Sequence, residues 1–326
     1  MALVARHGEL LSRRRIWLAG SALILPGLLW LLLLIALPML GMVALSMLGT
    51  DDYGTVQARL TAEHFKRLGG WDSVLQEWNW DPLRILVRSG ILAGITTALC
   101  LLLALPMSLA IAAAPERMRL LLLALIIVPT CVNLVIRTYA WQLMLCDASP
   151  VAWSLAGLGT SLHHALSSAD PPQWASLLSG ILGPNGELYP GPFAVYLGMV
   201  SCMLPFTILP LYQSVERIDW SVVEAVEDCY GSRWAVLRHG IISQITPGLV
   251  AALILTLVPS LGMFVVSDML SGAKFMLIGN FIQQQFLLNN WPGGAAAGLL
   301  LVLLSLAALL VISRWGGGLY ASGSRS

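Results

Sequence analysis

The densest run of ionisable side chains in the sequence is VERIDWSVVEAVEDCYG, residues 215–231. It carries Glu216, Asp219, Glu224, Glu227 and Asp228, five of the chain's 17 acids, between two long apolar stretches. Such a segment is either a solvated loop or a docking element, and its spacing favours a helix. Ser221 and Glu224 match the S-x-x-E capping box, in which hydroxyl and carboxylate satisfy orphan N–H groups of the first turn. Asp219 is an alternative N-cap. Val222, Val223, Ala225 and Val226 give this helix a small apolar face. Glu224, Glu227 and Asp228 fall in early turns, where the helix dipole favours negative charge. The expectation is a short helix over 221–233, set crosswise between two apolar segments.

A second candidate is a charge in apolar surroundings. Arg137 stands in VNLVIRTYAWQLML, close to Tyr139 and Trp141. An arginine inside an apolar span is a functional-site candidate by default. Alternatively it snorkels, or pairs with Asp147 or Asp268 to fix helix packing. The two aromatic faces offer a cation roughly 0.5–2 kcal/mol each, or they pack in the core.

Other chemistries lack their residues. There is no G-x-x-x-x-G-K-[ST] phosphate loop, no H-E-x-x-H and no G-x-S-x-G, and His163 and His164 are adjacent. The five cysteines, at 100, 131, 146, 202 and 229, have neither disulfide nor metal spacing and read as small buried apolar residues. No acid stands at the middle of an apolar run, which argues against a carboxylate proton relay. The longest basic tract is Arg13–Arg15, so no nucleic-acid partner is indicated. An enzyme is not expected.

The elements that must position these residues follow from composition. Of 326 residues, 57% are hydrophobic and 11% charged, against about 25% charged in a soluble domain. This is an integral membrane chain. A spanning helix needs about 20 apolar residues, and six runs qualify: roughly 17–47, 84–113, 119–145, 193–213, 248–267 and 294–313. The first continues from Ile16 to about Met47, too long for a signal core, and reads as an uncleaved anchor. Pro26, Pro38, Pro106, Pro129, Pro205, Pro210 and Pro259 lie inside runs and suggest kinked helices around a cavity. Arginines 6, 13–15, 117, 119, 217, 233, 238, 314 and 325 fall on one side of a six-span topology. The positive-inside rule then places both termini and the acidic segment in the cytoplasm. Outside lie 48–82, whose Trp71, Trp78 and Trp80 suit an interfacial belt or surface helix. An irregular or partly helical cap over 146–192 and a short interfacial helix within 268–293 complete that side.

Glu224-Ala225-Val226 resembles E-A-A-x-x-x-G, the cytoplasmic-loop motif of permease subunits of bacterial ABC importers. Val226 replaces an alanine, Tyr230 stands where the glycine belongs, and Gly231 follows one place late. Ser243 occupies the position of a usual proline, whereas Pro247-Gly248 matches. RTYAW (137–141), LPFTILPLYQSVERID (204–219) and PSLGMFVVSDMLSGAKFMLIGNFIQQQF (259–286) are similar to the spermidine/putrescine permeases, which commonly have an acid where Met263 stands. The similarity covers about residues 60–313.

What the resemblance implies is an all-α membrane protein with six transmembrane helices and an ABC type I importer permease core, in the bacterial inner membrane. The first helix (16–47) follows a cytoplasmic segment (1–15), and an outer segment (48–83) leads to a five-helix core (84–313). That core contains a coupling loop (214–247) and ends in a cytoplasmic tail (314–326). Asp219, Ser221, Glu224, Ala225, Val226, Asp228 and Gly231 would couple to an ATPase. Tyr139, Trp141, Asp268, Asn280 and Gln283 are candidates for the pathway of a small organic cation, with Arg137 a structural charge. The implied partners are a second permease subunit of different sequence, two ATP-binding cassette subunits, a periplasmic substrate-binding protein and membrane lipid. ATP and Mg would sit in the ATPase, with no cofactor or metal in this chain. The alternatives are an importer of an amino-acid-like compound or a metal ion, or a stand-alone membrane receptor or scaffold.

Overall fold

A computed structural model of the chain describes residues 2–51, 56–72, 77–146, 149, 189–272 and 276–323. Nearly all of the cap expected over 146–192 lies outside the described residues. Helix α1 (Ala2–Ser46) contains Pro26 and Pro38 and begins well before residue 16. The outer segment then holds β1 (Leu48–Thr50), β2 (Val56–Leu60), α2 (Glu63–Leu68), β3 (Trp71–Asp72) and β4 (Glu77–Trp78). Strands β1–β2 and β3–β4 are two small antiparallel hairpins, which an all-helical reading did not anticipate. The tryptophans of the outer segment sit on the second hairpin and just after it. Trp71 meets Trp78 edge-on at 5.9 Å, and Trp78 stacks on Trp80 at 5.4 Å.

Helix α3 (Asp81–Ala113) matches the second run. The third run is not straight. α4 (Glu116–Ile127) continues into a 3-10 turn (Val128–Cys131), and α5 (Leu134–Leu145) leaves it at 95°. Pro129 in that turn has no N–H to continue the α ladder. Asn133 then starts a new helix, its side chain accepting from the Val135 N–H at 2.8 Å. Apolar periodicity carries no signal for such a bend.

Helix α6 (Pro192–Val215) leads to the short α7 (Trp220–Tyr230) and then to α8 (Arg233–Gly262), whose residues Val236–Ile242 form a π-helical stretch. The fifth run was expected over 248–267. It ends instead at Gly262, because Met263 is extended, and α9 (Phe264–Ser271) starts afresh. The short helix expected in the next segment is α10 (Ile278–Leu287), followed by α11 (Trp291–Gly323). Among the described residues, five helical segments are long and apolar enough to cross a membrane, and α4–α5 makes a sixth if the bent pair counts as one.

Helix α6 is the hub. Two buried clusters stack along it. One joins Leu92 of α3, Leu145 of α5, Met199 of α6 and Leu270 of α9. The other joins Ile111 of α3, Ile208 and Leu211 of α6, Val223 of α7 and Ile245 of α8. In lipid, apolar burial between helices gives little drive, so close approach of small residues matters. At Gly248 of α8 a Cβ would lie 2.6 Å from the Pro210 carbonyl of α6 and would collide with Ser214. Nearby, the buried Thr207 and Thr256 hydroxyls lie 2.7 Å apart across the same contact. Of the cysteines, Cys100 and Cys202 are buried as expected, but Cys131 and Cys229 are exposed.

The outer segment is tied down by His64, which is 4% exposed, its Nε2 lying 3.1 Å from the Leu48 carbonyl oxygen. Desolvation lowers its pKa below the ordinary 6.5; the Leu48 hydrogen bond and Glu63 oppose this, and Arg67 reinforces it. The unfolded segment therefore binds a proton more readily than the folded one. The stabilisation is complete above about pH 6.5 and is lost as pH falls through the depressed folded value. Amide exchange in β1 and β2, corrected for intrinsic rates, should accelerate as pH drops from about 7 to about 5. His64→Gln should flatten that dependence.

Candidate functional site

At one end of the molecule α7 bridges α6 and α8. Asp219 caps it: the Asp219 carboxylate accepts from the Ser221 N–H at 3.0 Å and from the Ser221 hydroxyl at 2.7 Å. The capping box read at Ser221 and Glu224 is therefore not formed. Ser221 is the second residue of the helix, and its hydroxyl serves the cap rather than being it. These two hydrogen bonds, side chain first and backbone second, hold the Asp219 pKa below its usual value. The helix ends earlier than expected, at Tyr230. Gly231 adopts φ +62° and its N–H donates to the Glu227 carbonyl at 2.8 Å. The displaced glycine of the sequence motif is thus the left-handed C-cap.

Only Val223 of α7 is buried. Glu224, Ala225, Glu227 and Asp228 are exposed, Val226 partly so. Large apolar side chains share this exposure: Trp220 56%, Tyr230 61% and, just beyond, Trp234 68%. Acids interleaved with exposed aromatic rings make a surface suited to docking rather than to solvation alone.

Three contacts strap α7 to the start of α8. Gln244 accepts from the Asp219 N–H at 2.9 Å and donates to the carbonyls of Asp219 (3.2 Å) and Gly240 (2.9 Å). Gly240 lies against Val223, where an added Cβ would sit 3.5 Å from the Val223 Cα. The Tyr230 and His239 rings stack at 5.4 Å and 6°. Sequence reading missed Gln244, Gly240 and His239, whose contacts form between residues nine to 25 apart. The one available hint was an amide at the head of an otherwise apolar run. Beside the strap, Arg119 at the start of α4 pairs with Glu216 at 3.1 Å. That brings two of the arginine-bearing loops to the same end of the molecule.

Near the other buried cluster, α9 and α10 enclose a pocket of about 250 Å³ that brings together Asp268, Asn280 and Gln283. Ser271 and Gln284 add to its polar wall, and Met276 and Leu287 line the apolar remainder. Asn280 braces the two helices, its Oδ1 accepting from the Leu277 N–H (3.3 Å) and its Nδ2 donating to the Phe264 carbonyl (3.4 Å). One carboxylate with amide and hydroxyl oxygens, and no cation among the described lining residues, can accept hydrogen bonds from an ammonium group.

The other pathway candidates stand elsewhere. Tyr139 is 51% exposed on the surface of α5, and Trp141 packs against the buried cluster. Two residues apart on a helix, they face nearly opposite ways, so they do not form one cation cage and neither lines the pocket. Arg137 makes no ion pair with Asp268 among the described residues, and Asp147 lies outside them. The Arg137 Nε and Nη1 are buried without a hydrogen-bond partner.

No family model matches the chain. In fold it is similar to a chain of a bacterial alginate ABC transporter, crystallised in complex with its alginate-pentasaccharide-bound periplasmic protein (TM-score 0.58, 16% identity, 92% of this chain and 94% of that one). A second crystal structure, of a bacterial ABC transporter involved in alginate import, gives TM-score 0.51 at 17% identity over 93% of this chain and 96% of that one. This is the fold of an ABC-transporter membrane subunit, consistent with the capped helix between two long apolar ones. The sequence is 34% identical over 269 residues to the spermidine/putrescine transport system permease protein PotB of Salmonella typhimurium strain SL1344, covering 82% of this chain and 83% of that protein. Identity is also 34% to PotB of Escherichia coli K12 (82% and 86% covered) and 30% to PotB of Haemophilus influenzae (82% and 83%). The chain belongs to this family of ABC-transporter permease proteins.

The caps make separable contributions to α7. Nothing lies within 4 Å of a Cβ at Gly231, so Gly231→Ala carries only the left-handed backbone cost, about 1–2 kcal/mol. Asp219→Ala should fray the first turn. Both should raise amide exchange across 219–231 while leaving protection in α6 and α8 unchanged.

Proposed function

We propose that the chain forms half of the translocation pathway of an ATP-driven importer for polyamines such as spermidine or putrescine, working in the bacterial inner membrane. α4–α5 counts as one span, which makes six, and both termini face the cytoplasm with α7. A second permease of different sequence completes the pathway. Two ATP-binding cassette subunits, which hold ATP and Mg, dock on α7, and a periplasmic binding protein delivers the cargo at the opposite end. The chain itself catalyses nothing.

The observation that carries this reading is α7: an acidic helix capped at both ends, exposing Glu224 beside Trp220, and strapped to a spanning helix. Docking needs exposed charge that is held in place. The strap supplies the second half of coupling, because a displacement of α7 is transmitted to α8 through Gln244, Gly240 and His239. The polyamine assignment rests on the family and on the pocket at Asp268, Asn280 and Gln283, whose acceptors complement a protonated amine. Arg137 fits a structural role. A bare guanidinium on a cation's path would repel it strongly at low dielectric, and the Arg137 nitrogens face protein rather than the pocket.

Glu224→Lys should leave insertion and folding intact, because Glu224 is exposed and makes no capping bond. Docking should fail: transport is lost, and ATP hydrolysis is no longer stimulated by loaded binding protein. Normal transport by Glu224→Lys in a reconstituted importer would remove the docking role. Cargo recognition is tested separately in proteoliposomes. Asp268→Asn removes one charge–charge contact and should weaken half-saturation for spermidine about tenfold, a loss of about 1.4 kcal/mol, without lowering assembly yield. Arg137→Met should show the opposite pattern, lower yield with unchanged half-saturation. Uptake of an anion or a neutral sugar in place of polyamine would overturn the cargo assignment.

A further inference from the structure

A groove of about 600 Å³ runs along the first turns of α3, lined by Trp80, Leu83, Arg84, Val87, Arg88 and Ile91, with Tyr196 of α6 at its floor. The α3 residues recur at intervals of three and four, which places them on one face of the helix. Their chemistry changes along the axis. Trp80 comes first, stacked on Trp78. Arg84 and Arg88 follow. Beyond Arg88 the helix carries no charged residue from Ser89 to Ala113, and the groove wall there is Ile91.

The position of the arginines is fixed by length. Helix α3 has 33 residues, or about 50 Å at 1.5 Å per residue, against a hydrocarbon core of about 30 Å. The uncharged stretch fills that core, so the two guanidiniums fall at its boundary, level with the exposed tryptophans that favour the same depth. Arg84 and Arg88 are both exposed. Asp81 reaches Arg84 only at 3.6 Å, with both side chains largely exposed, and Arg88 lies beside Tyr196. Neither cargo nor a free inorganic anion suits this groove. Two arginines repel a polyamine, and Leu83, Val87 and Ile91 offer nothing to a bare phosphate.

We infer that the groove binds one anionic phospholipid. Its phosphodiester sits on the Arg84 and Arg88 guanidiniums, whose planar forks match phosphate oxygens. Its acyl chain lies along Val87 and Ile91, and Trp80 covers the glycerol region. The site is at the far end of α3 from the coupling helix, since Ile111 near the other end of α3 packs in the cluster that contains Val223. It is independent of the transported solute.

The test uses the full chain purified in detergent, titrated with phosphatidylglycerol or with phosphatidylcholine of matched acyl chains, and read by native mass spectrometry for retained lipid. Phosphatidylglycerol should bind at least about tenfold more tightly, because charge-assisted bonds to two guanidiniums are available only to it at full strength without a compensating headgroup cation. R84Q/R88Q should abolish that preference, whereas R84K/R88K, which keeps the charges, should retain most of it. Equal retention of the two lipids would overturn the inference, as would an unchanged preference in R84Q/R88Q. So would binding of glycerol phosphate as tight as that of the intact lipid. Loss of a co-purifying subunit from R84Q/R88Q, with lipid retention unaltered, would mark the groove as a protein contact instead.

Discussion

The contact between α6 and α8 is the joint on which the rest of the molecule depends. At Gly248 the α8 backbone comes close enough to the Pro210 carbonyl to exclude a side chain, and the Thr207 and Thr256 hydroxyls meet in the same seam. Because these two helices touch, the 17 residues between their ends have little distance to cross. They can form only a compact crosswise element. The short length and both caps of α7 follow from that geometry, and so does its attachment to α8 rather than to α3 or α5.

The two ends of the joint carry different chemistry for one physical reason. A bilayer interior forbids unsatisfied backbone and unpaired charge, so irregular and charged structure collects where the spanning helices stop. At one end this gives the arginine-bearing loops, the Arg119–Glu216 pair and the exposed acids of α7. At the other it gives two hairpins, a tryptophan stack, and the break at Met263 that lets α9 and α10 fold around a polar pocket. Arg137, in the first turn of α5, differs from the charges at these two ends: its Nε and Nη1 are buried without a hydrogen-bond partner.

The π-helical stretch Val236–Ile242 belongs to the α7 end as well. A π turn widens the helix locally, and here it presents Gly240 to Val223 and His239 to Tyr230. α7 therefore rests on the first turns of a spanning helix at its start, middle and end. That arrangement makes α7 an extension of α8 rather than a pendant loop.

Membrane character, the approximate course of most of the long apolar helices, and the existence of a short helix in the acidic segment were legible in the sequence. They depend on composition and on periodicity within a few residues, which are local properties. The capping aspartate was legible as an alternative, since Asp219 and Ser221 both suit an N-cap and only backbone direction chooses between them. Asp268, Asn280 and Gln283 could be named individually from the segment they share. That they face one pocket, while Tyr139 and Trp141 do not, was decided by the break at Met263 and by the rotation of α5 after its 95° bend. The Gln244 clamp, the glycine approaches at 240 and 248 and the arginine groove on α3 likewise arise from how helices meet. A one-dimensional pattern records which residues share a helix face, but not which neighbour that face will find.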